Sequence, residues 1–168
     1  MRLGFVRWRA EQRSLIAKLN QDRLLTSRPT ARLRQVGALC WQQDGDNLRV
    51  LLVTSRDTGR WVIPKGNRMA GRSDWDAAAQ EAVEEAGVQG AISSVPLGAY
   101  AYEKRLKAGQ KHPAVVVVYP LEVLIQLGAW PEGDERKRRW MSLSEAVSCV
   151  AEVELKTLLV RFDEDASR

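Results

Sequence analysis

Cysteine and histidine are scarce in this chain. Of its 168 residues only Cys40 and Cys149 carry thiols, and only His112 carries an imidazole. The two cysteines are far from any C-x-x-C spacing, which argues against a thiolate metal site or a dithiol redox pair. Two buried free thiols and a cytoplasmic location are expected instead. A single histidine supplies no histidine cluster for zinc. Long apolar runs are missing as well. None approaches the roughly 20 residues needed to span a bilayer, so no membrane role is expected. The N-terminus lacks the apolar stretch of roughly 7–15 residues that marks a secretory signal. No internal repeat is present. What remains is an ordinary globular composition, 45% hydrophobic and 28% charged, in a chain long enough for one domain with its own core.

Acidic residues are nearly missing from one region. Residues 1–34 hold nine Lys/Arg against Glu11 and Asp22, a local charge of +7, although the whole chain carries only +5. The basic charge therefore belongs to an appendage, and the rest is close to neutral. The stretch "TSRPTAR" (26–32) is polar, and Pro29 turns Arg28 away from helix, so it reads as a linker. The expected organisation is a basic extension over 1–30, a domain over 31–163 and a frayed polar tail over 164–168. The extension reads as a solvated segment, and a nucleic-acid contact, if one exists, belongs there.

Strand patterns fill most of the domain. "RQVGALCWQQDGDNLRVLLVTS" reads as a hairpin around Asp-Gly-Asp-Asn, and "RDTGRWVIPKG" adds a turn, a short apolar run and a loop. "GAISSVPLGAYAYEKRL" reads as one long extended segment. "PAVVVVYPLEVLI" is too continuously β-branched for a half-exposed strand and is placed centrally. "RRWMSL" is a last short strand. Ser142 and Glu145 form a capping-box pattern at the next helix, and "LKTLLVRF" is a final helical run. Trp61 and Trp140, in strand settings, are read as core and not as stacking platforms. Strands with helices near the middle and end predict an α+β domain built as an α/β/α sandwich.

The middle helix carries the chemistry. In "PKGNRMAGRSDWDAAAQEAVEEAGV" (64–88), Ser73 caps the helix, Asp74 and Asp76 suit its positive end, and Gly87 stops it. Glu81, Glu84 and Glu85 then crowd the negative end, related as i, i+3 and i+4 on one face. Each like-charge pairing costs roughly 0.2–0.5 kcal/mol, and the helix end adds roughly 0.3–1 kcal/mol per acid. A divalent cation on two or three of these oxygens reverses the sign of that cost. An all-oxygen donor set selects Mg²⁺ or Mn²⁺ over zinc.

The whole stretch resembles the Nudix box, written G-x5-E-x7-R-E-U-x-E-E-x-G-U with U aliphatic. Gly66 matches its first glycine, Glu81, Glu84 and Glu85 its last three acids, and Gly87 and Val88 its end. Two positions depart: Arg72 stands where the first Glu belongs and Gln80 where the Arg belongs. In the family that pair braces the loop and helix; an amide at Gln80 can still donate, whereas Arg72 cannot accept. The "WVIPKG" loop and "KRRWMSLSEA" are similar to the diphosphoinositol polyphosphate phosphohydrolase group.

The resemblance implies a Nudix-type sandwich with a mixed sheet. It also implies divalent-metal-dependent hydrolysis of a phosphoanhydride in a small phosphorylated substrate of the diphosphoinositol or dinucleoside polyphosphate kind. By motif position Glu81 and Glu85 hold the metal with the Gly66 carbonyl, and Glu84 is the base that activates water. Arg60, Lys65 and Arg105, the last in a basic loop with Lys104, Lys107 and Lys111, are candidates for substrate phosphate. Glu135, beside Glu132 and Asp134, is the alternative base. Two rival readings are a non-catalytic nucleotide-binding regulatory domain and a pyrophosphohydrolase acting on RNA 5′ ends.

Overall fold

The computed structural model describes residues 32–106 and 109–166, with side chains through Asp163. The basic extension, Lys107 and the end of the polar tail lie outside the described residues. Among the described residues eight strands and three α-helices follow in chain order. They are β1 (Leu33–Asp44), β2 (Asn47–Thr54), β3 (Trp61–Val62), β4 (Lys65–Asn67), α1 (Asp74–Glu81), β5 (Val88–Ile92), β6 (Gly98–Arg105), β7 (Lys111–Gln126), β8 (Arg138–Ser142), α2 (Leu143–Cys149) and α3 (Val153–Ala166).

β1 and β2 form the expected hairpin, with Asp44 opposite Asn47 and Gly45 turning at φ 60°. The β-branched run becomes β7, which lies centrally. It runs parallel to β1 from Leu33↔Ala114 to Trp41↔Glu122 and antiparallel to both β5 and β6. The sheet is therefore mixed. Side chains alternate between two covered faces along β7, which is why four successive positions are all valine. Val115 and Val117 face one core with Val36, Val53 and Ala78, while Val116 and Val118 face the other with Tyr100, Met141 and Leu159. α1 covers the first face and α2 with α3 the second, giving a three-layer α/β/α sandwich.

Three expectations need correction. The stretch 90–106 is not one extended segment. It breaks between β5 and β6, where Ser93 Oγ accepts from the Val95 amide and donates to the Val95 carbonyl, a local turn that competes with strand pairing. The C-terminal helix is longer than "LKTLLVRF" and runs through Ala166, into the segment expected to fray. Of the two thiols, Cys40 is buried but Cys149 is exposed, because Val150, one residue on, takes the inward position at the end of α2. Trp61 packs partly buried against the second core and Trp140 against the first, as expected.

Candidate active site

Ser73 starts α1, its hydroxyl accepting from the Asp76 amide at 3.2 Å. Ala77, Ala78, Ala82 and Ala86 are completely buried, and small side chains let the helix lie close on β1. After Glu81 the helix widens into a π-helical turn over Ala82–Ala86, and Gly87 ends it in the left-handed region at φ 63°. Wide turns of this kind re-aim side chains inside a helix. Here the turn carries Glu84 and Glu85.

The three glutamates do not share one environment. Glu81 lies against β4, so close that a Cβ added at Gly66 would stand 1.9 Å from its Oε1. Only glycine fits opposite that carboxylate. Glu84 accepts from Gln80 Nε2 at 2.7 Å, and Gln80 in turn accepts from Arg72 Nη1 at 3.3 Å. The two departures from the box thus form a donor chain, Arg72 to Gln80 to Glu84, with the charge order of the usual pair changed. Glu85 is buried, accepting from the Lys65 amide at 3.0 Å and from Arg136 Nη2 in a buried ion pair.

Arg136 belongs to the segment between β7 and β8, which is stitched onto the end of α1. The Leu127 amide donates to the Gly87 carbonyl, the Glu132 amide to that of Glu84, and Trp130 Nε1 to that of Glu85. Arg138 Nη1 donates to the Ala86 carbonyl at 2.8 Å, with its guanidinium 3.9 Å over the Trp130 ring. These donors satisfy the carbonyls a helix leaves free at its C-terminus, and the two arginines place cations where the dipole favours them. Much of the carboxylate crowding is met in this way by the chain itself. The sequence hides both arginines inside "EGDERKRRW" (132–140), which carries only the i, i+4 pair Glu132–Arg136 as a local signal.

Electrostatics separates the acids further. Burial, and then the charges of Glu85, Glu84 and Glu132, push Glu81 up to about 7. Burial also raises Glu85, against the pull of Arg136 and the Lys65 amide. Burial lowers Lys65, although Glu85 opposes that shift. Among the described residues no three acidic, histidine or cysteine side chains converge tightly enough to form a ready cation cluster. The donor chemistry at Glu81 still suits a hard cation: oxygen ligands, crowded negative charge, and a bare glycine backbone in contact.

The candidate phosphate ligands separate. Lys65 is half-buried, its ammonium 4.8 Å from the ring centroid of Tyr102, whose hydroxyl donates to Gln35 Oε1. Arg60 is engaged with Glu152 at 3.1 Å. Arg105 is exposed at the end of β6; strand alternation puts Lys104, not Arg105, on the Tyr102 side, where it acts on Lys65. Glu135 is paired with Arg56 at 3.1 Å on the surface, 55% exposed. Glu132 is the loop acid that reaches inward, to Arg136. Gln35, Tyr102, Arg136 and Glu152 were not among the sequence candidates.

A NUDIX domain family model matches residues 31–160. Nudix hydrolase 13 of Arabidopsis thaliana, named mitochondrial, is 33% identical over 107 residues, which cover 61% of this chain and 53% of the relative. The chain thus spans about half the length of that protein. Human diphosphoinositol polyphosphate phosphohydrolase 3-beta is 30% identical over 132 residues, covering 77% of this chain and 75% of the relative. The structure of the C. elegans Ap4A hydrolase binary complex has the same fold, with a TM-score of 0.59 at 20% identity, covering 79% of this chain and 96% of that one.

Proposed function

From the premise that this chain belongs to the Nudix family, we propose that it hydrolyses a phosphoanhydride bond in a small phosphorylated substrate, using Mg²⁺ or Mn²⁺. The observation that carries this reading is Glu81, a carboxylate pressed against the Gly66 backbone and pushed up to about 7 by burial and by its neighbouring acids. Such a group is stabilised in its charged form by a cation. Glu81 and the Gly66 carbonyl would hold it, with Glu85 joining through a lone pair that its contacts to Arg136 and the Lys65 amide leave open. When bound, the cation neutralises diphosphate charge and acidifies water.

The remaining steps fall to the chain's own residues. Glu84 takes the proton of the attacking water at Oε2, because Oε1 is occupied by Gln80 Nε2 and among the described residues Oε2 has no donor. The donor chain from Arg72 fixes the carboxylate's direction. Arg136 and the Lys65 amide hold Glu85 in one rotamer, beside the Lys65 ammonium that meets the substrate phosphate. Two free thiols support a reducing compartment for the reaction, cytoplasmic or organellar.

We take two substrate kinds as candidates, a diphosphoinositol polyphosphate, in keeping with the human relative's name, and a dinucleoside polyphosphate. The test is phosphate or nucleotide release from a panel of both, with Mg²⁺ or Mn²⁺ and with a chelator. Metal-dependent turnover of one member is expected. Tight binding of panel members without any turnover would replace this reading with that of a ligand-binding domain.

A further inference from the structure

β4 is three residues long, and its two faces meet different neighbours. It pairs antiparallel with β1, Lys65 opposite Gly37, Gly66 opposite Val36 and Asn67 opposite Gln35. Strand alternation turns Lys65 and Asn67 to one side of the sheet and Gly66 to the other. On the Gly66 side lies the Glu81 carboxylate, in contact with the glycine's open face. On the opposite side both flanking residues are held. Asn67 Oδ1 accepts from Gln35 Nε2 at 3.0 Å, and the Lys65 ammonium stands 4.8 Å from the Tyr102 ring centroid. Tyr102 Oη donates to Gln35 Oε1, which joins these contacts into one clasp.

Three residues of ladder give β4 little hold of its own, so its position depends on these side chains. Gln35 is 3% exposed and uses both ends of its amide, donor to Asn67 and acceptor from Tyr102. A buried amide satisfied in this way has one geometry, because any other leaves a polar atom without a partner. Burial pushes the Tyr102 hydroxyl up to about 12, so it stays a donor at any working pH. Tyr102 packs against the second core, across the sheet from the alanines of α1. What the clasp does to the carboxylates must therefore pass through the backbone of β4. That backbone meets them twice, where Gly66 lies against Glu81 and where the Lys65 amide donates to Glu85 Oε2.

We propose that Gln35 and Tyr102 are positioning residues for the cation site, clasping Lys65 and Asn67 so that the Gly66 backbone is held at Glu81. This rests on the reading above, which puts the cation on Glu81 and the Gly66 carbonyl, and it adds two residues that lie outside the box. A clasp that served folding alone would change melting temperature and leave cation affinity as it was.

The test uses the intact chain and Mn²⁺ alone as the probe. Tyr102→Phe removes the donor and keeps the ring under the Lys65 ammonium, whereas Gln35→Met removes both amide contacts at similar length. In metal-free protein the β4 amides should exchange faster with solvent in each variant, while those of α1 keep their rates. Titration calorimetry should show Mn²⁺ binding about tenfold weaker in each, the lower end of what losing a residue that supports a metal ligand costs. In the double variant the loss should match that of Gln35→Met, because one clasp is broken only once. Undiminished Mn²⁺ affinity in the variants, with or without faster exchange in β4, would overturn the proposal, and so would losses that add in full. The Tyr102→Phe arm removes a single oxygen atom and keeps the test decisive if Gln35→Met does not fold. An unaltered chain that binds no Mn²⁺ would end the cation reading and this one with it. If binding and its loss are both seen while the substrate panel shows no turnover, the positioning stands and the hydrolysis reading falls.

Discussion

Glu84 and Glu85 are neighbours in sequence with opposite demands. Glu85 is buried with both oxygens engaged, while Glu84 keeps one oxygen without a donor among the described residues. Glu84→Gln is therefore expected to lower kcat by 10²–10⁴-fold, the usual contribution of a general base, with substrate affinity and melting temperature little changed. Steady-state kinetics on the best panel substrate checks this, and a loss below about tenfold would move the base to another acid. Arg136→Leu should instead act on folding. It strands a buried carboxylate, a change that costs about 3–5 kcal/mol in denaturant titrations of the metal-free protein. Adding Glu85→Leu should return much of that loss, because the pair is then replaced by apolar groups. That the three glutamates share a short helical stretch was legible, since i, i+3 and i+4 spacing fixes it. What each one faces was not, because Arg136 lies 51 positions beyond Glu85 and Glu152 lies 92 beyond Arg60. No local pattern carries such pairings.

At the level of elements, α1 shows how a substituted motif keeps its brace. Arg72 cannot accept, so the usual acid-to-arginine contact is unavailable, but Arg72 donates to Gln80 and Gln80 to Glu84. The direction of donation toward Glu84 is what the element preserves. Gln80→Ala should reduce kcat about tenfold with KM nearly constant, the scale of losing a group that orients a working ligand or base. Gln80→Glu replaces that donor with a carboxylate that cannot donate to Glu84 and should lower kcat at least as much, which steady-state kinetics checks. Strands β1, β2 and β7 were readable from alternation and β-branched content. The break between β5 and β6 was missed because a serine turn there opposes an otherwise extended pattern. The π-helical turn gave no signal at all, since its residues, "AVEEA", are ordinary helix formers.

For the whole molecule, Glu81 ties stability to pH and to cations. Its folded value, about 7, lies above the ordinary carboxylate value of 4.5. A raised carboxylate favours folding below its unfolded value, and the advantage is lost as pH rises through the folded value. Melting temperature in chelator should therefore fall between about pH 4.5 and 7.5, and Mg²⁺ should offset the fall by an amount that grows over that window. At 100 times Kd the metal adds about 2.7 kcal/mol. Glu81→Gln with Glu85→Gln should remove most of the Mg²⁺ response, and an undiminished response would place the cation elsewhere. The layered fold was legible because strand patterns fill most of the domain, with helices near its middle and end. The segment between β7 and β8 was not, being held by backbone bonds to α1 that sequence pattern does not encode. That stitching has a consequence for the chain as it is made. A ribosome releases Glu85 well before Arg136, and β1 long before its parallel neighbour β7. Throughout that interval Glu85 is without its arginine counterion, although Leu127, Trp130 and Glu132, the donors to the α1 carbonyls, emerge before it. A nascent chain stopped short of Arg136 therefore cannot bury Glu85, and α1 has to close on the sheet after translation has passed that arginine.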